Sequence, residues 1–140
     1  MAAAAVNGKI YACGGLGVAA TSDTAVEEYD PSANTWQART SLTHGRSSAG
    51  AFGWNGKIYV TGGIEGGVFV AATEEFDPQF NGWSPRADML SLRRSFGYAN
   101  IGPSCYCFGG VVPGGTAASF TDQGCHEYFA YTVFYPFKKN

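Results

Sequence analysis

Trp54-Asn55-Gly56-Lys57-Ile58-Tyr59-Val60-Thr61-Gly62-Gly63 is the stretch from which the fold of this chain is read. Asn-Gly is the strongest short hairpin signal, because both central residues of a type I′ turn need φ above zero and these two tolerate it. Lys57 to Thr61 follows as a short apolar strand, and Gly62-Gly63 ends it abruptly. The stretch has copies. Val6-Asn7-Gly8-Lys9-Ile10-Tyr11-Ala12-Cys13-Gly14-Gly15 stands 48 residues upstream (62 − 14). Ile101-Gly102-Pro103-Ser104-Cys105-Tyr106-Cys107-Phe108-Gly109-Gly110 is a looser copy 47 residues downstream (109 − 62). Self-similarity at a fixed period of this size marks a chain of repeated supersecondary units.

The rest of the composition agrees with strands and turns. Of 140 residues, 45% are apolar, 15% aromatic and only 14% charged, with 20 glycines to punctuate them. No window of 11 residues or more carries helical periodicity. Net charge is −2 and no basic cluster exceeds Arg93-Arg94 or Lys138-Lys139, so the electrostatic footprint of a nucleic-acid partner is absent. No apolar run approaches the ~20 residues of a membrane span. The alanines after Met1 lack a basic flank and run straight into the first repeat, so no targeting segment is expected. Cys13, Cys105, Cys107 and Cys125 share no repeated spacing, which favours reduced thiols and a cytoplasmic setting.

Each repeat reads as four strands. A run of small and apolar residues (Ala2 to Val6; Ser48 to Trp54) pairs with Lys-Ile-Tyr across the Asn-Gly turn. In the second and third repeats this run opens on an arginine, as Arg46-Ser47-Ser48 and Arg93-Arg94-Ser95. The counterpart in the first repeat would precede Met1, so the chain is expected to begin inside that strand. After the glycine pair come variable glycine-rich loops, Leu16 to Ala25, Ile64 to Ala72 and Val111 to Gly124. A third strand follows, Val26-Glu27-Glu28-Tyr29-Asp30-Pro31 or Thr73-Glu74-Glu75-Phe76-Asp77-Pro78, in which Asp-Pro starts a turn. A fourth strand is marked by Trp36 or Trp83. In the last repeat only His126-Glu127-Tyr128-Phe129 survives of this pattern, with Tyr135 in the tryptophan's place. Links between repeats (Gln37 to Gly45; Ser84 to Leu92) are polar with one or two apolar anchors.

An arginine-opened strand of small residues, Ile-Tyr-x-x-Gly-Gly, Glu-x-Tyr/Phe-Asp-Pro and a spaced tryptophan, in that order, resemble the kelch repeat. The likeness runs through essentially all of the chain. It implies an all-β propeller of three four-stranded antiparallel blades, approximately 1–40, 46–87 and 93–138, in one domain. Gly14-Gly15, Gly62-Gly63 and Gly109-Gly110 are expected where a Cβ would strike the adjoining blade. Tyr11, Tyr59 and Tyr106, with Trp36 and Trp83, are expected to fill the wedges between blades, each full burial being worth on the order of 1.5–3 kcal/mol. Kelch propellers usually close with six or so blades. Three therefore imply a piece of a longer protein, a half-propeller pairing with a second copy about a two-fold axis, or a ring completed by another chain. The apolar stretch Phe129 to Phe137 would be an aggregation-prone edge or an interface.

No catalytic constellation emerges. Arg46 and Arg93, like Glu27, Glu74 and Glu127, recur once per repeat, whereas a catalytic group need occur only once. They read as structural hydrogen bonds and ion pairs. The adjacent glutamates are not a glycosidase dyad, since neighbouring strand residues face opposite ways. Cys105 stands where Ile10 and Ile58 stand and reads as a core residue. Two histidines and one Cys-x-Cys fall short of a metal site, and neither a Gly-x-Ser-x-Gly elbow nor a phosphate loop occurs. No cofactor is expected. In kelch propellers that bind proteins, the residues after the strand-opening arginine and the loop after the glycine pair line one face. By that resemblance Ser47, Ser48, Arg94 and Ser95, together with Ile64, Glu65 and Phe69, are the candidate contacts. Phe69 reads as an anchor and Arg94 as a reader of acidic groups, because its counterpart Ser47 is neutral. The expected function is a non-enzymatic protein-interaction module that binds a peptide or partner loop, with substrate recognition for a ubiquitin ligase as the role in a longer parent. The alternatives are an enzyme acting on a small molecule or sugar, and a half-ring whose role is self-assembly.

Overall fold

The structure is a computed structural model and describes residues 1–18, 21–101 and 104–114, together with the backbone of 125–129. All of its regular structure is β. The first sheet is built in the order β1 (Ala2–Val6), β2 (Lys9–Leu16), β3 (Ser22–Asp30) and β4 (Thr35–Ala38), every pair antiparallel. The second repeats it with β5 (Gly50–Trp54), β6 (Lys57–Thr61), β9 (Thr73–Asp77) and β10 (Gly82–Arg86). Between them the second loop folds into a small hairpin of β7 (Ile64–Glu65) and β8 (Val68–Phe69). The third sheet is β11 (Gly97–Ile101), β12 (Ser104–Phe108) and β13 (Cys125–Phe129). A fourth strand around Tyr135, the side chain of Glu127 and the tail beyond Phe129 lie outside the described residues.

Local chemistry explains these strands. The Asn-Gly turns adopt the left-handed geometry read from the sequence, with φ of 52° and 74° at Asn7-Gly8 and 49° and 76° at Asn55-Gly56. The inner strands β1, β5 and β11 lie side by side and bring the three sheets together as blades. Tyr98 of the third blade donates from its hydroxyl to Ala3 O of the first at 3.2 Å.

Two apolar seams hold the blades. In the first seam, Tyr11, Cys13 and Val26 on the trailing side of blade one meet Ile58, Val60 and Phe76 on the leading side of blade two. In the second, Phe52 and Tyr59 meet Cys105, Cys107, Phe96 and Met89. Leu42 and Met89 are the buried anchors of the two links. The glycine pairs fit against the next blade. A Cβ on Gly14 would lie 2.4 Å from Arg46 O, and one on Gly62 would lie 2.3 Å from the Met89 Cε, at φ of 60° and 62°. Around Gly109 the space is open, so the steric reason does not extend to that position in this structure.

The expectation for the aromatic wedges is corrected at both ends. Tyr11 and Tyr59 are buried and Trp83 half-buried, whereas Trp36 is 57% exposed and Tyr106 half-buried. Trp36 and Tyr106 lie on sides of blades one and three that no other blade covers among the described residues. Trp36 stacks only on Tyr29 of its own blade, ring centroids 4.9 Å apart.

Candidate functional site

The strand-opening arginines tie blades together. Arg46, buried, donates to Ala72 O at 2.7 Å and Gly62 O at 3.4 Å, and pairs with the Glu74 carboxylate at 3.3 Å. Its own carbonyl accepts from Gly15 N of the preceding blade at 2.9 Å. Arg93 repeats the arrangement, donating to Gly109 O at 2.8 Å and accepting from Gly63 N at 2.9 Å. Burial pulls the Arg46 guanidinium down and the Glu74 carboxyl up, each opposed by the other's charge. Arg46, Arg93 and Glu74 were expected to make hydrogen bonds and ion pairs within and between blades, and these are the contacts they make in the structure. Glu27, the counterpart of Glu74 in blade one, is exposed.

A second polar network, not anticipated from the sequence, runs through the other glutamate of each pair. Glu75, 4% exposed, accepts from Lys57 at 2.7 Å and from Arg86 at 2.7 and 2.8 Å. Glu28 takes the same place in blade one with Arg39 at 2.7 Å, and Lys9 pairs with Asp30. Burial raises the Glu75 carboxyl, but hydrogen bonds from Arg86, Lys57 and Tyr59 outweigh it and hold the group below its ordinary value. Burial and the bond to Glu28 push the Tyr11 phenol upward. The signal for this network was the spacing of Arg39 and Arg86, 47 residues apart in links read only as polar (86 − 39).

The candidate contact residues converge in pairs where the second blade's loop meets the openings of blades two and three. The Arg94 guanidinium carbon lies 5.4 Å from the centroid of the Phe69 ring, a cation–π distance. Phe69 is brought there by the β7–β8 hairpin, whose turn uses Gly66 and Gly67 at φ of 55° and 88°. The Arg94 backbone is held by reciprocal bonds with Val111, N to O at 3.0 Å and O to N at 2.9 Å. Arg94 Nε is buried without an acceptor, and no carboxylate among the described residues pairs with this side chain. Arg46 Nε is also without an acceptor, but that guanidinium has Glu74 beside it.

Ser48 and Ser95 hold matching left-handed backbones, φ 53° and 51°, and Ser95 N donates to Ser48 O at 2.9 Å. Ser95 is exposed and Ser48 half-buried. Ser47 is a correction: it is 5% exposed, drawn in by reciprocal backbone bonds with Ile64 at 2.9 and 2.8 Å, so it shapes the face without presenting a hydroxyl on it. Ile64 O also accepts from Ser22 Oγ of blade one at 2.8 Å. Glu65 is paired with His44 Nδ1 at 2.9 Å, a residue the sequence reading did not place here. Among the described residues the face thus carries a cation with no paired carboxylate, an aromatic ring under it, an exposed serine and a solvent-facing acid–imidazole pair. Such a surface can seat a carboxylate or phosphate oxygen. Among the described residues no three His, Cys, Asp or Glu side chains are grouped to hold a metal ion. Among the described residues no helix is long and apolar enough to cross a membrane.

Similarity to other proteins agrees with this architecture. An F-box/kelch-repeat protein of Arabidopsis thaliana is 45% identical over 62 residues, which cover 44% of this chain and 16% of that protein. The solved structure of YjhT superposes with a TM-score of 0.67 at 19% identity, over 77% of this chain and 43% of that one. The chain therefore spans under half the length of each. The kelch motif matches residues 1–43 and 45–90, more than half of the sequence, and the chain belongs to the kelch-repeat family.

Proposed function

We propose that this chain is a non-enzymatic interaction module whose loop face binds an acidic peptide or partner loop. Arg94 carries the reading: a half-buried guanidinium stacked on Phe69, with a buried Nε lacking an acceptor and no carboxylate beside it among the described residues. A buried or stacked cation left in this state gains most from an anion supplied by a partner, since charge-assisted hydrogen bonds contribute about 1.5–3 kcal/mol. Ser95 and Ser48 stand on the same face to accept or donate a further bond, and Ile64 and Glu65 lie on the hairpin that carries Phe69. In a longer parent the same face would recognise substrates for a cytoplasmic ubiquitin-ligase adaptor, a role in keeping with the F-box/kelch name of the Arabidopsis relative. A six-bladed ring of two copies belongs to the same reading, as the exposed aromatic ends favour a partner that is itself a blade.

The test is a peptide array of acidic sequences and their amide counterparts, probed with wild type, Arg94→Ala and Phe69→Ala. Retention of acidic peptides that falls about tenfold or more in Arg94→Ala, and less in Phe69→Ala, supports the site. Equal retention by wild type and Arg94→Ala removes it.

A further inference from the structure

Two charged side chains on the loop face stand where the repeat does not call for them. Glu65 lies two residues after its glycine pair, and the same place holds Gly17 in the first repeat and Val112 in the third. Arg94 follows its strand-opening arginine, and the same place holds Ser47 in the second repeat. Neither charge is needed to build a blade, since the other repeats do without it. The two have opposite signs and sit at neighbouring blade boundaries. Glu65 adjoins Ile64, which pairs with Ser47 at the opening of blade two, and Arg94 belongs to the opening of blade three.

The β7–β8 hairpin stands between them. Ile64 pairs with Phe69 and Glu65 with Val68 across it. Neighbouring strand residues face opposite ways, so Ile64 and Phe69 share one side of the hairpin and Glu65 and Val68 the other. On the first side Phe69 lies against the Arg94 guanidinium. On the second, Glu65 meets His44 Nδ1 at 2.9 Å, with 41% of the carboxylate side chain left exposed.

The charge at each end is unbalanced. Glu65, Glu74 and the exposed Asp88 all lie within electrostatic reach of one guanidinium, that of Arg46, which is buried and already paired with Glu74 at 3.3 Å. His44 adds positive charge there only when protonated. At the other end no carboxylate among the described residues pairs with Arg94, and Arg94 and Glu65 make no ion pair with each other.

We infer that the partner segment read at this face carries a basic residue as well as an acidic one, with the acidic group set on Arg94 and the basic group on Glu65. The inference rests on the acidic-peptide reading of Arg94 and adds a second contact of opposite sign. A segment bearing acids alone meets repulsion at the Glu65 end. One with the two charges exchanged is opposed at both ends, so the face distinguishes the direction in which a segment lies on it. The hairpin sets the spacing, because it presents Glu65 on one side and packs on Arg94 with the other.

Immobilised peptides test it, each with one glutamate and, at increasing distances along a neutral chain, either a lysine or a glutamine. The readout is the retention of a lysine peptide divided by that of its glutamine twin. For wild type this ratio is expected to reach about two to five at the matching spacing, the gain of an exposed ion pair. It is expected to return to parity in Glu65→Gln and to invert in Glu65→Lys. A wild-type ratio at parity for every spacing overturns the inference, as does an excess that survives in both variants. Unchanged retention of the glutamine peptides by Arg94→Ala removes the Arg94 reading instead. Failure of wild type to retain any of the peptides removes both.

Discussion

Blades one and two are two printings of one sequence pattern in different surroundings. Phe76 of blade two is wholly buried against Tyr11 of blade one, while its counterpart Tyr29 rests half-exposed on Trp36. Glu74 is locked to Arg46, while Glu27 faces solvent. What differs is the neighbour, not the residue. Stability in such an arc is a sum over seams, and a side chain counts for what the next blade does with it.

That contrast can be broken by substitution. Phe76→Ala empties the first seam and is expected to cost about 3–5 kcal/mol in urea unfolding. Tyr29→Ala is expected to cost less than about 1 kcal/mol, since less buried surface is lost there. A similar loss at both sites would show that the seam is not what distinguishes them. Arg46→Ala leaves Glu74 buried without its cation and is expected to cost about 3 kcal/mol, against less than about 0.5 kcal/mol for Glu27→Ala on the exposed face.

The glycine pairs sharpen the same point at smaller magnitude. Gly62→Ala must displace Met89 as well as hold an L-residue at positive φ, and is expected to cost about 2–4 kcal/mol. Gly109→Ala meets open space and is expected to cost only the backbone strain, about 1–2 kcal/mol. Thermal unfolding of the pair reads the difference directly.

The acid limb of the stability curve separates the two adjacent glutamates. Glu75 has a folded pKa below its unfolded value, so its stabilising contribution is present above the unfolded carboxyl pKa near ~4.3 and is lost as pH falls through the folded one. Glu74 has a raised folded pKa, so it acts in the opposite sense: stability falls as pH rises from the unfolded toward the folded value. Glu75→Gln is therefore expected to flatten the loss of stability on acidification and Glu74→Gln to steepen it. Identical slopes for both variants in urea titrations between pH 3 and pH 6, roughly the carboxylate range, would overturn the assignment.

What the sequence made legible follows the same division. The hairpin turns were readable because Asn55-Gly56 states its backbone conformation locally. The Arg46–Glu74 pair was expected as an ion pair because both residues recur from repeat to repeat, whereas a catalytic group need occur only once. The convergence of Arg94 with Phe69 was anticipated only as membership of one face; their stacking depends on a hairpin, β7–β8, that a glycine-rich loop did not announce. Trp36 misled because burial is a property of the neighbour, and Ser47 because its backbone pairing with Ile64 draws inward a residue whose type suggests a surface. The Glu75 network was missed because its arginine sits at the end of a fourth strand whose extent the pattern left open.

The arginines have one more consequence, for the order of events at the ribosome. Each side chain finishes its own blade, but each carbonyl receives the glycine N–H of the blade before. A nascent blade therefore emerges with its Gly-Gly corner unlatched, and only the first residues of the following blade can close it. Synthesis from the N-terminus makes blades one and two each wait for the opening arginine of the blade that follows. Both corners are sealed one blade late.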